Sequence, residues 1–280
     1  MCMKPARFDY HRARGVADVL GALADDPSGE TKVLAGGQSL VTLMNLRLAR
    51  PARLVDIGGL SELDRVFDDV DRVVLGALVR HRTLETDPLI STRLPLVAAA
   101  ARHIGHVGIR NRGTVGGSLA HADPAAELPM AMVALGAVVH VESAARGRRP
   151  IPAERFFVSH FTTALAPDEI ITWVEVPALR PGQGWGFVEY APRHGDFATA
   201  GAGCVLTLDA GGRVSGIRAA LLAAADRPLL VSVPDEVLGE RPGERLWERL
   251  GRRWGRAPLG AEALAEALCA AHRRAVGEDA

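Results

Sequence analysis

The stretch Gly113-Thr114-Val115-Gly116-Gly117-Ser118-Leu119-Ala120-His121-Ala122-Asp123-Pro124 gathers three glycines, two hydroxyl side chains and an Asp-Pro step, and an apolar run from Glu127 to Val141 follows it. Residues without a Cβ let a ligand lie directly against main chain. Bare N–H groups in such a turn form a concave, anion-seeking surface. Asp123 before Pro124 reads as a helix N-cap with proline at the first helical position. Taken alone, the segment suits a tight structural turn and a capped helix equally well. A second stretch of the same kind, Ala35-Gly36-Gly37-Gln38-Ser39-Leu40, shifts the balance. It follows the short apolar run Lys32-Val33-Leu34-Ala35. Ser39 is placed to cap a helix through Leu40, Leu43, Met44 and Leu46, Pro51 ends that helix, and Arg53 to Ile57 reads as the next strand. The result is a small βαβ unit with glycines at the helix N-terminus, where free N–H groups and the helix dipole hold a phosphate.

Two familiar nucleotide motifs are absent. No G-x-x-x-x-G-K-[ST] occurs, and Gly201-Ala202-Gly203 lacks the third glycine of G-x-G-x-x-G and sits in a β-rich stretch. The chain is neither a P-loop nor a Rossmann protein. Its 33 basic residues are balanced by 33 acidic ones, which leaves no electrostatic footprint for nucleic acid or an anionic membrane. Aromatic content of 5% argues against a stacking platform for single strands. No apolar run is long enough to cross a bilayer, and Met1-Cys2-Met3-Lys4-Pro5 lacks a secretory h-region. A cytoplasmic protein is expected. Cys2, Cys204 and Cys269 are too scattered for a disulfide framework or a Cys-rich metal site. His103, His106 and His121 crowd near the second glycine stretch without zinc-ligand spacing, so no metal is expected. Arg110-Asn111-Arg112 suits a phosphate, a carboxylate or a solvated turn.

Elsewhere, Val16 to Leu23 has helical spacing, Val66 to Leu78 reads as strands around Asp68-Asp69, and Thr83 to Ala101 is helical. A helix over Pro124–Leu135, a strand over Ala137–Val141, an exposed basic loop at Arg146-Gly147-Arg148-Arg149-Pro150 and a strand over Ile170–Val176 follow. Composition shifts at Pro177 to Gly186, with two prolines and three glycines, which marks a domain boundary. Trp185–Tyr190, Ala198–Leu208 and Val214–Ala220 then form an antiparallel meander, with turns at Arg193–Asp196 and Asp209–Gly212. Helices over Arg245–Arg253 and Ala261–Ala275 end the chain.

Ala35 to Leu40, Ile109 to Ser118 and Ala120-His121-Ala122-Asp123-Pro124 together resemble the FAD-binding medium subunit of molybdenum hydroxylases, a group that includes carbon monoxide dehydrogenase and xanthine dehydrogenase-type enzymes. The likeness extends through Phe8-Asp9-Tyr10, Leu54-Val55-Asp56-Ile57-Gly58, Pro167-Asp168-Glu169 and Arg193-His194-Gly195-Asp196-Phe197-Ala198, and spans roughly Phe8 to Leu230 in the right order. It implies an α+β fold. A two-lobed FAD-binding domain would occupy residues 1–178, with a small βαβ lobe to about residue 58 and a larger α+β lobe after it. A C-terminal domain with a three-stranded antiparallel sheet and helices would occupy residues 179–280.

The resemblance also implies roles. Ala35, Gly36, Gly37, Gln38 and Ser39 on one side, and Thr114, Val115, Gly116 and Gly117 on the other, would give N–H and hydroxyl contacts to the FAD pyrophosphate, with Ser118 beside them. Asp123 would accept hydrogen bonds from cofactor hydroxyls. Lys32, Leu34 and Leu40 would flank the first motif. Phe197 would lie beside the isoalloxazine, or else be a plain core residue. The flavin would carry the redox chemistry, and the chain would supply no catalytic side chain of its own. In the family, substrate is oxidised at a molybdenum centre in a large subunit. Electrons cross iron–sulfur clusters in a small subunit to FAD and leave for NAD, a quinone or oxygen. Three scattered cysteines cannot hold a cluster, so this chain would be one subunit of three. Family members usually end in a helix carrying an aromatic-arginine-arginine segment. Here His272-Arg273-Arg274 stands in its place and Val231 to Pro258 matches poorly, which keeps a free-standing FAD-dependent oxidoreductase as the alternative.

Overall fold

Three main sheets succeed one another along the chain in the computed structural model, which describes residues 4–26, 28–231 and 235–278; Cys2 lies outside them. The first sheet is parallel. Strands β1 (Asp9–Arg12) and β2 (Thr31–Leu34) flank β3 (Arg53–Asp56). Helix α1 (Val16–Ala24) joins β1 to β2 and turns Val19, Leu20 and Leu23 into the lobe's core. Helix α2 (Leu40–Asn45) joins β2 to β3, so the βαβ unit is present. Ser39 does not cap α2, because its backbone is already helical (φ −91°, ψ −54°), outside the geometry in which an N-cap hydroxyl reaches back.

The second sheet is antiparallel. Strands β4 (Val66–Asp69) and β5 (Arg72–Gly76) form a hairpin at its edge. Six helices follow: α3 (His81–Thr86), α4 (Pro88–Arg93), α5 (Pro95–His103), α6 (Val107–Arg110), α7 (Val115–His121) and α8 (Glu127–Leu135). The single helical stretch expected over Thr83–Ala101 is divided, because Pro88 and Pro95 each start a new helix. Strands β6 (Val138–Ser143) and β7 (Gly147–Pro152), helix α9 (Ala153–Phe156), the small hairpin β8 (Phe157–Ser159) and β9 (Thr162–Thr163), and β10 (Glu169–Pro177) complete the region. The sheet order is β4-β5-β10-β6-β7.

The basic loop expected at 146–150 is largely strand β7. Its charges have partners on neighbouring strands: Arg148 with Glu142 at 2.8 Å and Arg149 with Glu169 at 2.7 Å. Helix α8 begins at Glu127 rather than Pro124. Asp123 does not cap it; its Oδ1 accepts from Ala125 N at 2.9 Å and closes a turn.

In the third sheet, β11 (Gln183–Tyr190), β12 (Ala200–Leu208), β13 (Val214–Leu222) and β14 (Leu229–Val231) pair in chain order, all antiparallel. It therefore has four strands where the meander suggested three; β14 is too short to show an alternation of its own. Helices α10 (Glu244–Trp254) and α11 (Pro258–Ala275) build the last core against it. Helix α11 lies almost on the β11 backbone: a Cβ at Gly184 or Gly186 would fall 1.8 Å from Ala271 O or Ala267 O. Arg274 stacks 4.0 Å over the Trp185 ring and donates to Trp185 O at 2.9 Å. The His272-Arg273-Arg274 segment thus holds the final helix to the sheet. Between the second and third sheets runs α8, whose nine residues are all buried, in one core that also holds Val139, Val141, Val205, Ala220 and Leu222. No helix among the described residues is long and apolar enough to cross a membrane.

Candidate functional site

A cleft of about 960 Å³ opens between α2 and α7 and is walled by residues 163–167 and 195–197. On one side β2 ends at Leu34 and the chain turns through Ala35, Gly36 and Gly37. Gly37 has φ +76°, a conformation in which a side chain is strained. At Gly36 a Cβ would stand 2.2 Å from Arg112 O, so the first motif rests directly on the residue before Gly113. The two glycine stretches touch. Among the described residues the N–H groups of Gly36, Gly37, Gln38 and Ser39 find no acceptor within the chain. Four uncommitted donors at a helix start make a strong anion site. Lys32 lines the cleft beside them and joins no ion pair among the described residues. Leu34 and Leu40 line it as well and give it an apolar wall.

The second motif works differently. Thr114 caps α7, its Oγ1 accepting from Gly117 N at 3.1 Å. Ser118 N donates to Thr114 O, Val115 N to Val79 O and Gly116 N to Ala77 O, at 2.8–3.0 Å. The backbone donors expected here are therefore already committed. Val115 is fully buried, and a Cβ on Gly116 would come 2.8 Å from that of Ala77. These two residues pin α7 to the end of β5 and are not part of the cleft wall. Thr114, Gly117 and Ser118 do line it, presenting hydroxyls and one Cα without a side chain.

His81 supports this corner. Its Nε2 lies 3.0 Å from Thr114 O, and Gly113 makes room for it, since a Cβ there would be 2.6 Å from His81 Nδ1. Burial pushes its pKa down to about 4, so the ring is neutral and Nε2–H donates to Thr114 O. A single histidine at a helix start carries no pattern, and nothing in the sequence marks it.

The remaining walls come from further along the chain. Arg149 grips Glu169 with two bonds of 2.7 Å and donates to Ala164 O, while Ala166 N donates to Glu169 at 2.8 Å. The Arg149 guanidinium holds the Glu169 carboxyl below its usual range. Asp123 and Glu127 close the inner end. Burial, with the charges of Glu189 and Asp123 added, pushes the Glu127 pKa up to about 8.

Phe197 lines the mouth and is 78% exposed, which excludes a core role. Its turn is set by Gly195, packed so close to Gly105 that a Cβ would lie 2.7 Å from Gly105 O. Gly105 is itself held by the buried Arg110, which donates to Ile104 O and Gly105 O and pairs with Glu85 at 2.8 Å. Arg110 thus meets a carboxylate within the chain. His106 caps α6 by accepting from Gly108 N, His121 leans on the Phe161 ring, and His103 turns toward Glu189.

The structure gathers Lys32, Leu34, Ala35, Gly36, Gly37, Gln38, Ser39, Leu40, Thr114, Gly117, Ser118, Asp123 and Phe197 around one cleft. Free donors, a lysine and an exposed aromatic in one cleft suit an anionic, aromatic dinucleotide such as FAD.

Comparison with known proteins agrees. Residues 6–179 match the family described as the FAD binding domain in molybdopterin dehydrogenase. The chain is 44% identical over 236 residues to 6-hydroxypseudooxynicotine dehydrogenase complex subunit alpha of Paenarthrobacter nicotinovorans, covering 84% of this chain and 79% of that one. It is 38% identical to the carbon monoxide dehydrogenase medium chain of Hydrogenophaga pseudoflava, covering 81% and 78%. A solved structure of carbon monoxide dehydrogenase from Hydrogenophaga pseudoflava, lacking the Mo-pyranopterin moiety, superposes with a TM-score of 0.92 at 33% identity, over 97% of this chain and 99% of that one. The stretch after Val231, which departs from the family in sequence, therefore keeps the family's fold. The chain belongs to the FAD-binding medium subunits of the molybdenum hydroxylases, oxidoreductases of the dehydrogenase type.

Proposed function

We propose that this chain relays electrons through an FAD held in the cleft, taking them from the iron–sulfur clusters of a small subunit that serves a molybdopterin-containing large subunit, and delivering them to an external acceptor. The carrying observation is the row of uncommitted N–H groups from Gly36 to Ser39, with Lys32 beside it and the Thr114 and Ser118 hydroxyls across the Gly36–Arg112 contact. In this reading those groups hold the pyrophosphate, and Ala35 and Gly117 keep the approach open. Leu34 and Leu40 cover the cofactor's apolar flank. Asp123 accepts from its hydroxyls and Phe197 lies against its ring system. When bound, FAD supplies the transfer between two-electron and one-electron partners. The chain binds and orients the cofactor and shields it from water. Residues 1–178 form the FAD-binding domain. Residues 179–280 form a C-terminal domain that contributes the 195–197 wall. The likeness to carbon monoxide dehydrogenase over 97% of this chain, C-terminal region included, supports a partner-bound subunit over a free-standing FAD oxidoreductase. The working compartment is the cytoplasm.

The test is the absorption spectrum of the chain purified alone, with the released cofactor identified by mass. About one FAD per chain is expected. A colourless protein that takes up no added FAD overturns the proposal. Anaerobically reduced protein offered NAD, a quinone or oxygen then identifies the acceptor, and failure of all three to reoxidise it overturns the relay.

A further inference from the structure

Four ionisable side chains, Glu127 on the cleft wall and three outside its lining, have no part in holding the pyrophosphate. Glu127, first residue of α8, is buried, lines the cleft and accepts no hydrogen bond from another residue. The Glu189 side chain, on β11, is 1% exposed, and its Oε2 has no partner among the described residues. Its Oε1 lies 3.6 Å from Nδ1 of His103, the last residue of α5. A small side-chain movement closes that spacing to a hydrogen bond. The His103 ring meets the exposed ring of His194 edge-on, centroids 5.3 Å apart. Buried carboxyls without partners are costly, and the charge of Glu189 acts on Glu127. The contact of Gly105 with Gly195 that shapes the cleft also sets His103, two residues before Gly105, beside His194, which precedes Gly195.

We propose that His194, His103, Glu189 and Glu127 form a proton route from solvent to the cleft wall, and that Glu127 holds the proton that balances a change of charge on the bound cofactor. This rests on the reading that the cleft holds FAD. Lys32 is the one lysine or arginine among the residues lining the cleft, and the proposed function assigns it to the pyrophosphate. Beyond Lys32, negative charge left on the cofactor therefore meets no lysine or arginine of the cleft lining.

Asp123 and Glu189 both disfavour ionisation of Glu127. His121 on α7 is exposed to the Asp123 charge. Of the other charged groups on elements around α8, Arg218 on β13 is engaged with Val133 O and Glu154 of α9, Glu169 on β10 with Arg149, and Glu175 on β10 with Arg72, while Arg102 on α5 and Arg155 on α9 are exposed. The balance is simple. Electrons come from the iron–sulfur donor. For a unit of negative charge left in the cleft, one proton leaves bulk water at His194, passes His103 and Glu189, and refills Glu127 as its own proton is drawn on.

The experiment uses the FAD-loaded chain. The slope of the flavin midpoint potential against pH counts protons per electron at equilibrium, and flash photoreduction with an indicator dye times their uptake. Wild type is expected to show an inflection near pH 8, which Glu127→Gln loses and Glu127→Asp retains at a displaced pH. His103→Gln is expected to keep the inflection and slow uptake about tenfold or more. An unchanged profile in Glu127→Gln, or an unchanged rate in His103→Gln, overturns the proposal. A chain that binds no FAD fails the functional reading instead. Infrared titration of the FAD-free protein then still decides for Glu127: a carboxyl band titrating near pH 8 in wild type and missing from Glu127→Gln is expected, and its persistence in that variant overturns the assignment.

Discussion

Replacing Gly36 with alanine tests the contact on which the two glycine motifs meet. The new methyl would stand 2.2 Å from Arg112 O, 2.9 Å from Arg112 C and 3.1 Å from Gly113 Cα. A carbon–oxygen contact settles at about 3.3 Å, so the two backbones must part by roughly 1 Å. A hydrogen bond stretched by that amount, from about 2.9 to about 3.9 Å, is no longer one. In the proposed placement, with the pyrophosphate held from both sides, two charge-assisted bonds of about 1.5–3 kcal/mol each would be lost. FAD affinity should fall by about 10²- to 10⁴-fold. The same overpacking should destabilise the FAD-free protein by about 1–3 kcal/mol. Fluorescence titration with FAD reads the first effect and thermal unfolding of the apo-protein reads the second. Gly21→Ala in α1 is the control: its Cβ meets nothing within 4 Å, and helix propensity adds about 0.5–1 kcal/mol of stability with no change in FAD affinity. A Gly36→Ala protein that folds and binds FAD within about threefold of wild type would refute the idea that the motifs act jointly.

Phe197→Ala should leave stability within about 0.5 kcal/mol, because the ring is exposed. It should weaken flavin binding by about 0.5–1.5 kcal/mol, read from the same titration. His81 binds its proton at about 4 when folded and 6.5 when free, so the unfolded chain holds more protons between those values. The stability that rests on a neutral His81 is complete above about pH 6.5 and declines as pH falls, by about 3 kcal/mol at pH 4. Urea unfolding across that window should show the slope in wild type and a flatter one in His81→Phe. Gly186→Ala, whose methyl would fall 1.8 Å from Ala267 O, should lift α11 from β11 and cost about 1–3 kcal/mol. A melting temperature equal to wild type would contradict that packing.

The βαβ lobe was legible because strand, glycine turn and helix follow one another locally, and each leaves its own periodicity. The second motif was legible only in part. Whether Val115 and Gly116 keep free N–H groups depends on the carbonyls of Val79 and Ala77, delivered by a chain segment far upstream. Motif chemistry suggests donors there; tertiary pairing removes them. Asp123 carried both a capping and a binding reading, and the late start of α8 leaves it at the cleft edge. Phe197 was ambiguous because an aromatic after a Gly-Asp turn suits a core or a surface, and only the Gly105–Gly195 contact decides. The places of Glu127, His81 and Glu169 in the site carry no sequence signal, for one reason. Burial and pairing across sheets are properties of the assembled fold, and a glutamate at the head of an apolar run looks like ordinary helix-start charge.

The burial of α8 on every side has a consequence for cutting the chain. A family boundary near residue 179 invites excision of the cofactor-binding half as an independent piece. Yet α8 faces β12 and β13 with the same side chains that complete the inner core. Removing residues 179–280 would lay bare one flank of a helix with no polar face, and with it the Glu127 end of the cleft. Such a fragment should be adhesive rather than soluble, and the two halves should melt in a single cooperative transition. What looks in sequence like two modules joined by a linker is, for folding, one unit with α8 as its shared wall.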